Sequence, residues 1–210
     1  MLELVVVGGG GMIGRRIVRE ALERGHAVTV VARDATKVTD EHERLRVVEA
    51  DVLDADAMAE LAAGCDVVVS AVGTARADTP DYSVYQRAAE SLVAALRSFG
   101  ESGPRLIVVG GVGSLLDGAG EPVLRRVPED RLPEHLDQQA ALDVRWTYLS
   151  PPARIAPGER TGSYRIGADR LLVSEDGESS ISMEDYAVAI LDEAETPRHV
   201  GRRFTVASRA

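Results

Sequence analysis

A glycine-rich turn close to the first residue limits what this chain can fold into more than any other feature. The turn has the sequence GGGGMIG over residues 8–14 and directly follows the apolar segment Leu2–Val7. After it, Ile13–Arg24 carries apolar residues at positions i, i+4 and i+8, which is the spacing of one helical face. A strand, a glycine turn and a helix in this order predict the opening unit of a parallel α/β sheet.

The spacing of these glycines indicates a site for a pyrophosphate group. The turn contains both G-x-x-G-x-x-G and G-x-G-x-x-G. Glycines allow a sharp turn, a close approach of the backbone to a diphosphate, and tight packing of the helix on the sheet. The helix N-terminus adds free amides and the positive end of the helix dipole. The alternative is a tight turn without a ligand; we expect binding, through Gly8, Gly11, Met12, Ile13 and Gly14.

Apolar runs alternate with helical patterns along the N-terminal part of the chain, and this order predicts the fold class. The predicted strands are Leu2–Val7, Val28–Ala32, Leu45–Val48, Asp66–Ala71, Leu106–Val109 and Trp146–Leu149. The predicted helices are Ile13–Arg24, Asp56–Ala63 and Tyr85–Phe99. Strands made almost entirely of Val, Ile and Leu are typical of a parallel sheet that is buried on both faces. We therefore expect a Rossmann-type, doubly wound α/β parallel sheet.

The last sixty or so residues predict a small C-terminal substrate lobe on the same sheet, because they are too few for an independent domain. Short strands are expected at Tyr164–Ile166, Leu171–Val173 and Phe204–Val206. A helix is expected at Met183–Ala194, with Ser182 as its N-cap. We predict a single NAD(P)-binding domain over residues 1–210, with a Rossmann core at 1–150 and a substrate-side segment at 151–210.

Charge and cysteine content narrow the classes of protein. Lys and Arg number 24 against 34 Asp and Glu, for a net charge of -10, which disfavours binding to nucleic acid or to anionic lipid. No apolar run reaches the ~20 residues of a membrane span, and no basic segment precedes the first apolar run, so we expect no secretory signal.

A single cysteine, Cys65, excludes an intrachain disulfide, favours a cytoplasmic location and is expected to be buried. The four histidines lie far apart, so no metal site is expected.

The polar face of the first helix carries charged residues four positions apart, which predict a solvated surface with local ion pairs. The pairs are Arg16/Glu20, Arg19/Glu23 and Glu20/Arg24.

The residues that follow the second predicted strand bear on the choice of nucleotide. An acidic residue at this tip would bind the ribose 2′-hydroxyl of NAD, whereas a basic residue would bind a 2′-phosphate. The tip residue is Arg33, and Lys37 is within reach of the same phosphate, so NADP(H) is preferred. Asp34 follows directly and keeps NAD(H) as an alternative. A third possibility is a solvated cluster of charges that binds nothing.

Two more strand ends supply expected contacts to the nucleotide. Asp51 and Val52 follow the third strand, where the Asp51 carboxylate can accept a hydrogen bond from an adenine amine or cap a turn. The segment Ala71, Val72 and Gly73 ends the fourth strand at the carboxyl edge of the sheet, where ligands of open α/β sheets bind.

Taken together, these residues resemble the atypical short-chain dehydrogenase/reductase superfamily, and within it the NAD(P)H-binding, NADH-flavin reductase group, with biliverdin reductase B type flavin reductases as more distant relatives. The resemblance extends beyond the glycine turn to residues 25–34, 51–52, 70–73, 107–114, 146–151, 157–162, 181–187 and 203–206. It implies NADP(H) with its adenosine near Arg33 and its nicotinamide near Val72, Ser114 and Pro151. This chain departs from the group at Gly10, where a hydroxyl residue is common, and in a short stretch between Ser114 and Trp146.

The chain lacks the proton donor of typical short-chain dehydrogenases. Those enzymes use a tyrosine with a lysine four residues later, and no lysine follows Lys37 here. Ser114, which the resemblance places beside the nicotinamide, is a candidate to hydrogen-bond a substrate, although it can equally cap a loop. Tyr82 and Tyr85 can reach the pocket from the start of a helix, although such residues more often line a pocket or pack half-buried. Ser114 and Tyr82 are the candidate catalytic residues. Tyr148 lies within a strand and is expected in the core.

An active site that has no proton-donating side chain favours acceptors whose reduction does not require one. Flavins and quinones take hydride on an electron-poor ring and can take the proton from water. The first hypothesis is therefore an NADPH-dependent reductase of such a small acceptor, acting as a monomer or homodimer. The alternative is a non-enzymatic NAD(P)-sensing regulator, like NmrA-type proteins, which acts through a protein partner. A third is an isomerase or dehydratase with tightly held NAD(P), which would need a base that we do not find.

Overall fold

The computed structural model describes residues 1–73, 83–113, 115–123 and 144–209. Its strands are β1 (Glu3–Val7), β2 (Ala27–Ala32), β3 (Leu45–Glu49), β4 (Val67–Ser70), β5 (Arg105–Val109), β6 (Trp146–Ser150), β7 (Arg154–Ala156), β8 (Tyr164–Gly167), β9 (Ser180–Ser182) and β10 (Arg202–Ser208). Its α-helices are α1 (Gly14–Glu23), α2 (Ala55–Ala62), α3 (Ser83–Arg97) and α4 (Met183–Glu195).

Eight of these strands form one sheet in the order β3-β2-β1-β4-β5-β6-β10-β8. Every pair of neighbours is parallel except β10 and β8, which are antiparallel. The chain moves outward from β1 in one direction through β2 and β3, and in the other through β4, β5 and β6. This reversal beside β1 is the switch point at which open α/β sheets form a ligand crevice. The predicted Rossmann-type fold is confirmed.

Helices cover both faces of the sheet and create two cores. One core packs α1 and α4 against the sheet and contains Ile17, Tyr186 and Leu191. The other packs α2 and α3 against the opposite face and contains Met58 and Leu92. Because the central strands carry apolar side chains on both faces, residues 4–7 of β1 are all buried.

The predicted N-terminal strands and helices lie within about two residues of the observed ones. The N-cap of α4 is also confirmed, because the Ser182 hydroxyl accepts a hydrogen bond from the Asp185 amide at 2.9 Å. The two strands β7 and β9, which form a separate parallel pair, were not expected. Each is three residues long, too short for an alternation of apolar and polar residues to be recognised.

The strand predicted at Leu171–Val173 is wrong. In the described part of the chain, the backbone of this segment is tied to a neighbouring backbone only by the Leu171 amide, which donates to the Leu116 carbonyl at 2.8 Å, beside a single bridge between Leu116 and Arg170. β8 is the last strand of the sheet, and the segment Leu171–Val173 does not pair with its outer edge. The segment is apolar but has no continuous backbone partner, so no strand forms. The predicted stretch 133–143 lies outside the described residues.

The predicted solvated face of α1 is also wrong at its centre, because Glu20 is buried with 4% of its surface exposed. Of the three predicted pairs, Glu20 with Arg24 is present at 2.7 Å. The other two arginines pair outside the helix, Arg16 with Glu184 and Arg19 with Asp40. The reason is that α4 and the loop before β8 pack over this face, which a helical pattern alone does not reveal.

Candidate functional site

The glycine turn after β1 has no room for side chains at three positions. Gly8 has a φ of +83°, and a Cβ there would lie 2.7 Å from the carbonyl oxygen of Ala71. A Cβ on Gly14 would lie 2.2 Å from the carbonyl oxygen of Gly8. A Cβ on Gly9 would lie 2.7 Å from Cγ1 of Val30. Glycine is therefore required for the turn, for its contact with the end of β4, and for the packing of α1 on β2.

The backbone of this turn is fixed by its own hydrogen bonds and still presents free amides. The Gly11 amide donates to the Gly8 carbonyl at 2.9 Å, which closes the turn. The amides of Met12 and Ile13 make no hydrogen bond with the residues that the structure describes. They lie at the N-terminus of α1, where the helix dipole favours an anion. This cradle fits a pyrophosphate.

Two arginines of α1 turn back onto the same loop, and the sequence pattern did not assign them this role. Arg15 donates to the carbonyl of Gly10 at 3.1 Å and to that of Gly11 at 3.2 Å. Arg16 donates to the Met12 carbonyl at 2.7 Å. Carbonyl oxygens repel an anion, so their neutralisation by guanidinium groups leaves the amides to dominate the local field.

The predicted nucleotide-selecting residues lie together after β2. Arg33 is exposed, and its guanidinium makes no hydrogen bond or ion pair with the described part of the chain. Asp34 caps the one-turn 3-10 helix Ala35–Lys37 and accepts hydrogen bonds from the Thr36 amide at 3.1 Å and the Thr36 hydroxyl at 2.5 Å. The hydroxyl holds the pKa of Asp34 below its usual value. Lys37 is exposed and lies 3.3 Å from Asp34.

Of the two residues after β3 that were expected to contact the nucleotide, Asp51 lies at the surface and Val52 lies in the core. Asp51 accepts a hydrogen bond from the Leu53 amide at 3.0 Å, so one of its oxygens caps the turn before α2. Val52 is buried against α2 with 7% of its surface exposed. The capping function that was one alternative for Asp51 is therefore present, and its contact with adenine stays a prediction.

The remaining predicted residues lie at the carboxyl ends of neighbouring strands. Ala71 follows β4 beside the glycine turn, and its amide donates to the Val7 carbonyl at 2.8 Å. Val72 packs into the core on the α3 side, Gly73 is exposed, and Pro151 is buried directly after β6. The two candidate catalytic residues, Ser114 and Tyr82, lie outside the described residues.

At the ends of β5 and β6 the structure places two side chains near the site, those of Tyr148 and Ser150, which the sequence pattern did not assign to it. The Tyr148 ring fills the space above Gly110, and its hydroxyl accepts a hydrogen bond from the Gly111 amide. Ser150, two residues later on the same face of β6, is fully buried, and its hydroxyl has no hydrogen-bond partner among the described residues. An orphaned hydroxyl directly before Pro151 is suited to a polar group of a ligand.

The start of α4 ties the C-terminal segment to the glycine turn. Glu184 accepts a hydrogen bond from Arg16 at 2.5 Å and from the Gly158 amide at 2.8 Å. Burial would raise the pKa of Glu184, but these two donors outweigh it and hold the pKa below its usual value. Asp185 is buried and accepts from the amides of residues 161 and 162. The loop before β8 is thus held beside α1.

The described residues give little support for a metal site, a membrane span or a reactive cysteine. They contain no group of three or more potential metal ligands, and none of their helices is both long and apolar enough to cross a membrane. Burial raises the pKa of the Cys65 thiol to about 12, so Cys65 is not an activated nucleophile.

Known proteins resemble this chain over its whole length. YwnB, an uncharacterized protein of Bacillus subtilis, is 38% identical over the full length of both chains. The crystal structure of a "putative exported protein" from Burkholderia pseudomallei is 37% identical, with a TM-score of 0.82 over 99% of this chain and 100% of the other. A "putative NADH-flavin reductase" from Streptococcus pneumoniae is 28% identical, with a TM-score of 0.81 over the whole of both chains.

One family covers nearly the whole molecule. The NAD(P)H-binding family matches residues 8–197, a range that begins at the first glycine of the turn and ends after α4. The match therefore includes the phosphate cradle, the strand ends around it and the segment that carries Glu184. The chain belongs to the NAD(P)H-binding family.

Proposed function

We propose that the protein is an NADPH-dependent oxidoreductase that reduces a small conjugated acceptor, such as a flavin or a quinone, by direct hydride transfer. The observation that carries the proposal is the cradle of free amides at the start of α1, closed on one side by Ala71. Membership of the NAD(P)H-binding family and the reductase from S. pneumoniae support an oxidoreductase.

The preference for NADPH rests on the geometry after β2. One carboxylate oxygen of Asp34 already accepts hydrogen bonds from the amide and the hydroxyl of Thr36, in the turn that Asp34 caps. This carboxylate is therefore not directed at a ribose hydroxyl. Arg33 and Lys37 are both exposed, and the Cβ of Lys37 lies 3.5 Å from where a Cβ on Gly10 would be. Two exposed cations in the segment that follows β2 suit a 2′-phosphate.

We propose this class of acceptor because the chain lacks the tyrosine–lysine pair that donates a proton in typical short-chain dehydrogenases. The single lysine of the chain, Lys37, follows β2, and the residue four positions before it is Arg33 and not a tyrosine. The sequence therefore contains no tyrosine–lysine dyad of the short-chain dehydrogenase type. Bound NADPH supplies the hydride. The protein then has to bind the nucleotide, exclude water and align the two rings, and an electron-poor planar acceptor needs no more than that.

The first prediction is tested by titrating NADPH and NADH into the wild-type protein and into Arg33→Ala. We expect tighter binding of NADPH, and a loss of roughly tenfold or more in its affinity in the variant, because charge-assisted hydrogen bonds are worth about 1.5–3 kcal/mol. NADH affinity should not change. Arg87→Ala, on the exposed face of α3, is the control for a general loss of positive charge. Equal affinities for both nucleotides, unchanged in Arg33→Ala, would exclude the NADP preference.

The reaction is tested by following NADPH oxidation with FMN, riboflavin and quinones as acceptors. Turnover above background with at least one of them is expected. Tight NADPH binding without turnover, together with a stable protein partner, would instead favour the sensing regulator.

A further inference from the structure

Two phenols lie at the carboxyl ends of β4, β5 and β6. The Tyr148 hydroxyl accepts a hydrogen bond from the Gly111 amide, with 3.1 Å between oxygen and nitrogen. The Tyr85 hydroxyl lies 3.9 Å from the position that a Cβ on Gly73 would occupy. Both hydroxyls therefore lie close to backbone at the part of the sheet edge beyond the glycine turn.

Gly110 is the residue that lets the Tyr148 ring reach this position. A Cβ on Gly110 would lie 2.1 Å from Cε1 and 2.4 Å from Cζ of that ring. Gly110 does not have a positive φ, so glycine is needed here for space and not for a turn. The ring and the glycine form a fitted pair, and a side chain at position 110 would displace the phenol.

The segment that Tyr148 contacts is intrinsically loose. Three of the four residues 110–113 are glycine, and glycine has the most conformational freedom to lose when it is ordered. The segment is also held by the hydrogen bond from the Gly110 amide to the Leu149 carbonyl and by the tight turn that ends at Leu115. The Tyr148 hydroxyl adds a hydrogen bond to the Gly111 amide between these two points.

A dinucleotide that binds across the switch point brings its second half to the same place. The adenosine belongs on the β2 side, where Arg33 follows the strand, and the turn after β1 takes the pyrophosphate. The other half of the molecule then extends over the carboxyl ends of β4, β5 and β6. Burial keeps the pKa of Tyr148 above its usual value, although the Gly111 amide and Arg203 oppose it, so the hydroxyl stays neutral.

We propose that Tyr148 is a positioning residue, which orders residues 110–113 against the nicotinamide half of bound NADP(H). The inference rests on the proposed nucleotide and is independent of the acceptor. Tyr148 acts through the backbone of Gly110 and Gly111, whose order fixes the angle at which the nicotinamide ring meets its acceptor.

The test compares Tyr148→Phe with Tyr164→Phe. Each variant removes one phenolic hydroxyl. Tyr164 is the control because it lies on β8, at the edge of the sheet, where its hydroxyl donates to the Asp192 carboxylate of α4 at 2.5 Å. Three quantities are measured in each: hydrogen exchange of the Gly111 amide without nucleotide, the fluorescence lifetime of bound NADPH together with its Kd, and kcat with FMN.

Tyr148→Phe should speed exchange at Gly111 about tenfold and shorten the NADPH lifetime, while the Kd changes less than about twofold. It should lower kcat roughly tenfold, because small misplacements of reacting groups are costly. Tyr164→Phe should change none of these. Unchanged exchange or an unchanged lifetime in Tyr148→Phe would overturn the proposal. Absence of turnover in every form, wild type included, would overturn the reductase function alone, because exchange and lifetime still decide the role of Tyr148.

Gly110→Ala gives a second approach to the same contact. Its methyl group would displace the Tyr148 ring, so it should reproduce the effects of Tyr148→Phe on exchange and lifetime. Gly118→Ala is the matched control, because a Cβ at Gly118 meets no atom within 4 Å. Equal behaviour of the two alanine variants would contradict the proposal.

Discussion

At the scale of single residues, the glycines of the turn after β1 have different functions although they are adjacent. Gly14 brings the start of α1 against the Gly8 carbonyl, and Gly8 adopts a backbone conformation that other residues avoid. Gly10 does neither, because a Cβ there would make only ordinary contacts at 3.5 Å or more. The motif letters alone cannot rank these positions, whereas the contacts of each missing Cβ can.

This ranking predicts opposite outcomes for Gly14→Ala and Gly10→Ser. Gly14→Ala should destabilise the protein by about 1–3 kcal/mol, since the added carbon overlaps a backbone oxygen, and should abolish tight nucleotide binding. Gly10→Ser should change stability by less than about 0.5 kcal/mol and leave binding intact. Thermal unfolding and NADPH titration check both. Similar losses in the two variants would mean that the turn is not built as described.

Cys65 gives a prediction about reactivity. Burial raises the pKa of its thiol to about 12, so the thiolate fraction at pH 8 is small. Alkylation by iodoacetamide at pH 8 should be slow in the folded protein and fast in urea. The rate is followed by mass spectrometry, and comparable rates in the two states would show that the thiol is accessible and ordinary.

At the scale of elements, a buried carboxylate joins α1 to the C-terminal segment. Glu20 is bound by Arg24 at 2.7 Å and by two nitrogens of Arg160 at 2.6 and 2.7 Å. Burial would raise the pKa of Glu20, but the hydrogen bonds from both arginines outweigh it and the pKa is lowered. The stabilisation is thus full above the usual value of 4.5 and is lost as the pH falls through the lowered pKa.

Glu20→Gln should therefore be less stable than the wild type by about 1–3 kcal/mol near neutral pH, since it loses hydrogen bonds to charged groups. The difference should shrink as the pH falls below about 4.5. Urea unfolding at pH 7 and at pH 3.5 measures it. A difference that is constant across this range would indicate a loss of packing and not of charge.

The elements that the sequence predicts well are those whose stability is local. The strands β1 to β6 are short and mostly apolar runs, and the cap of α4 is formed by residues three apart, so each pattern is complete within its own segment. Leu171–Val173 failed because an apolar run becomes a strand only if a neighbouring edge accepts it. Glu20 was expected in solvent because the loop that covers it lies about 140 residues away.

At the scale of the whole molecule, the candidate site is predicted in part for the same reason. The phosphate turn and the Arg33 region are each contiguous, and the pattern of the chain indicates both. Tyr148, Ser150 and the pair of Arg16 with Glu184 come from segments far apart, so their positions depend on the topology of the sheet. Sequence-based interpretation expected Tyr148 in the core and did not foresee its contact with the loop after β5.

The place of β10 in the sheet has a consequence for how the molecule is made. Among the described strands this one comes last along the chain, yet it lies between β6 and β8 and not at a border. Until it emerges from the ribosome, β6 carries a row of unpaired backbone groups that invite contact with other nascent chains. Completion of the sheet is therefore a late event, and mutations that slow the insertion of β10 should lower the yield of protein before they alter its chemistry.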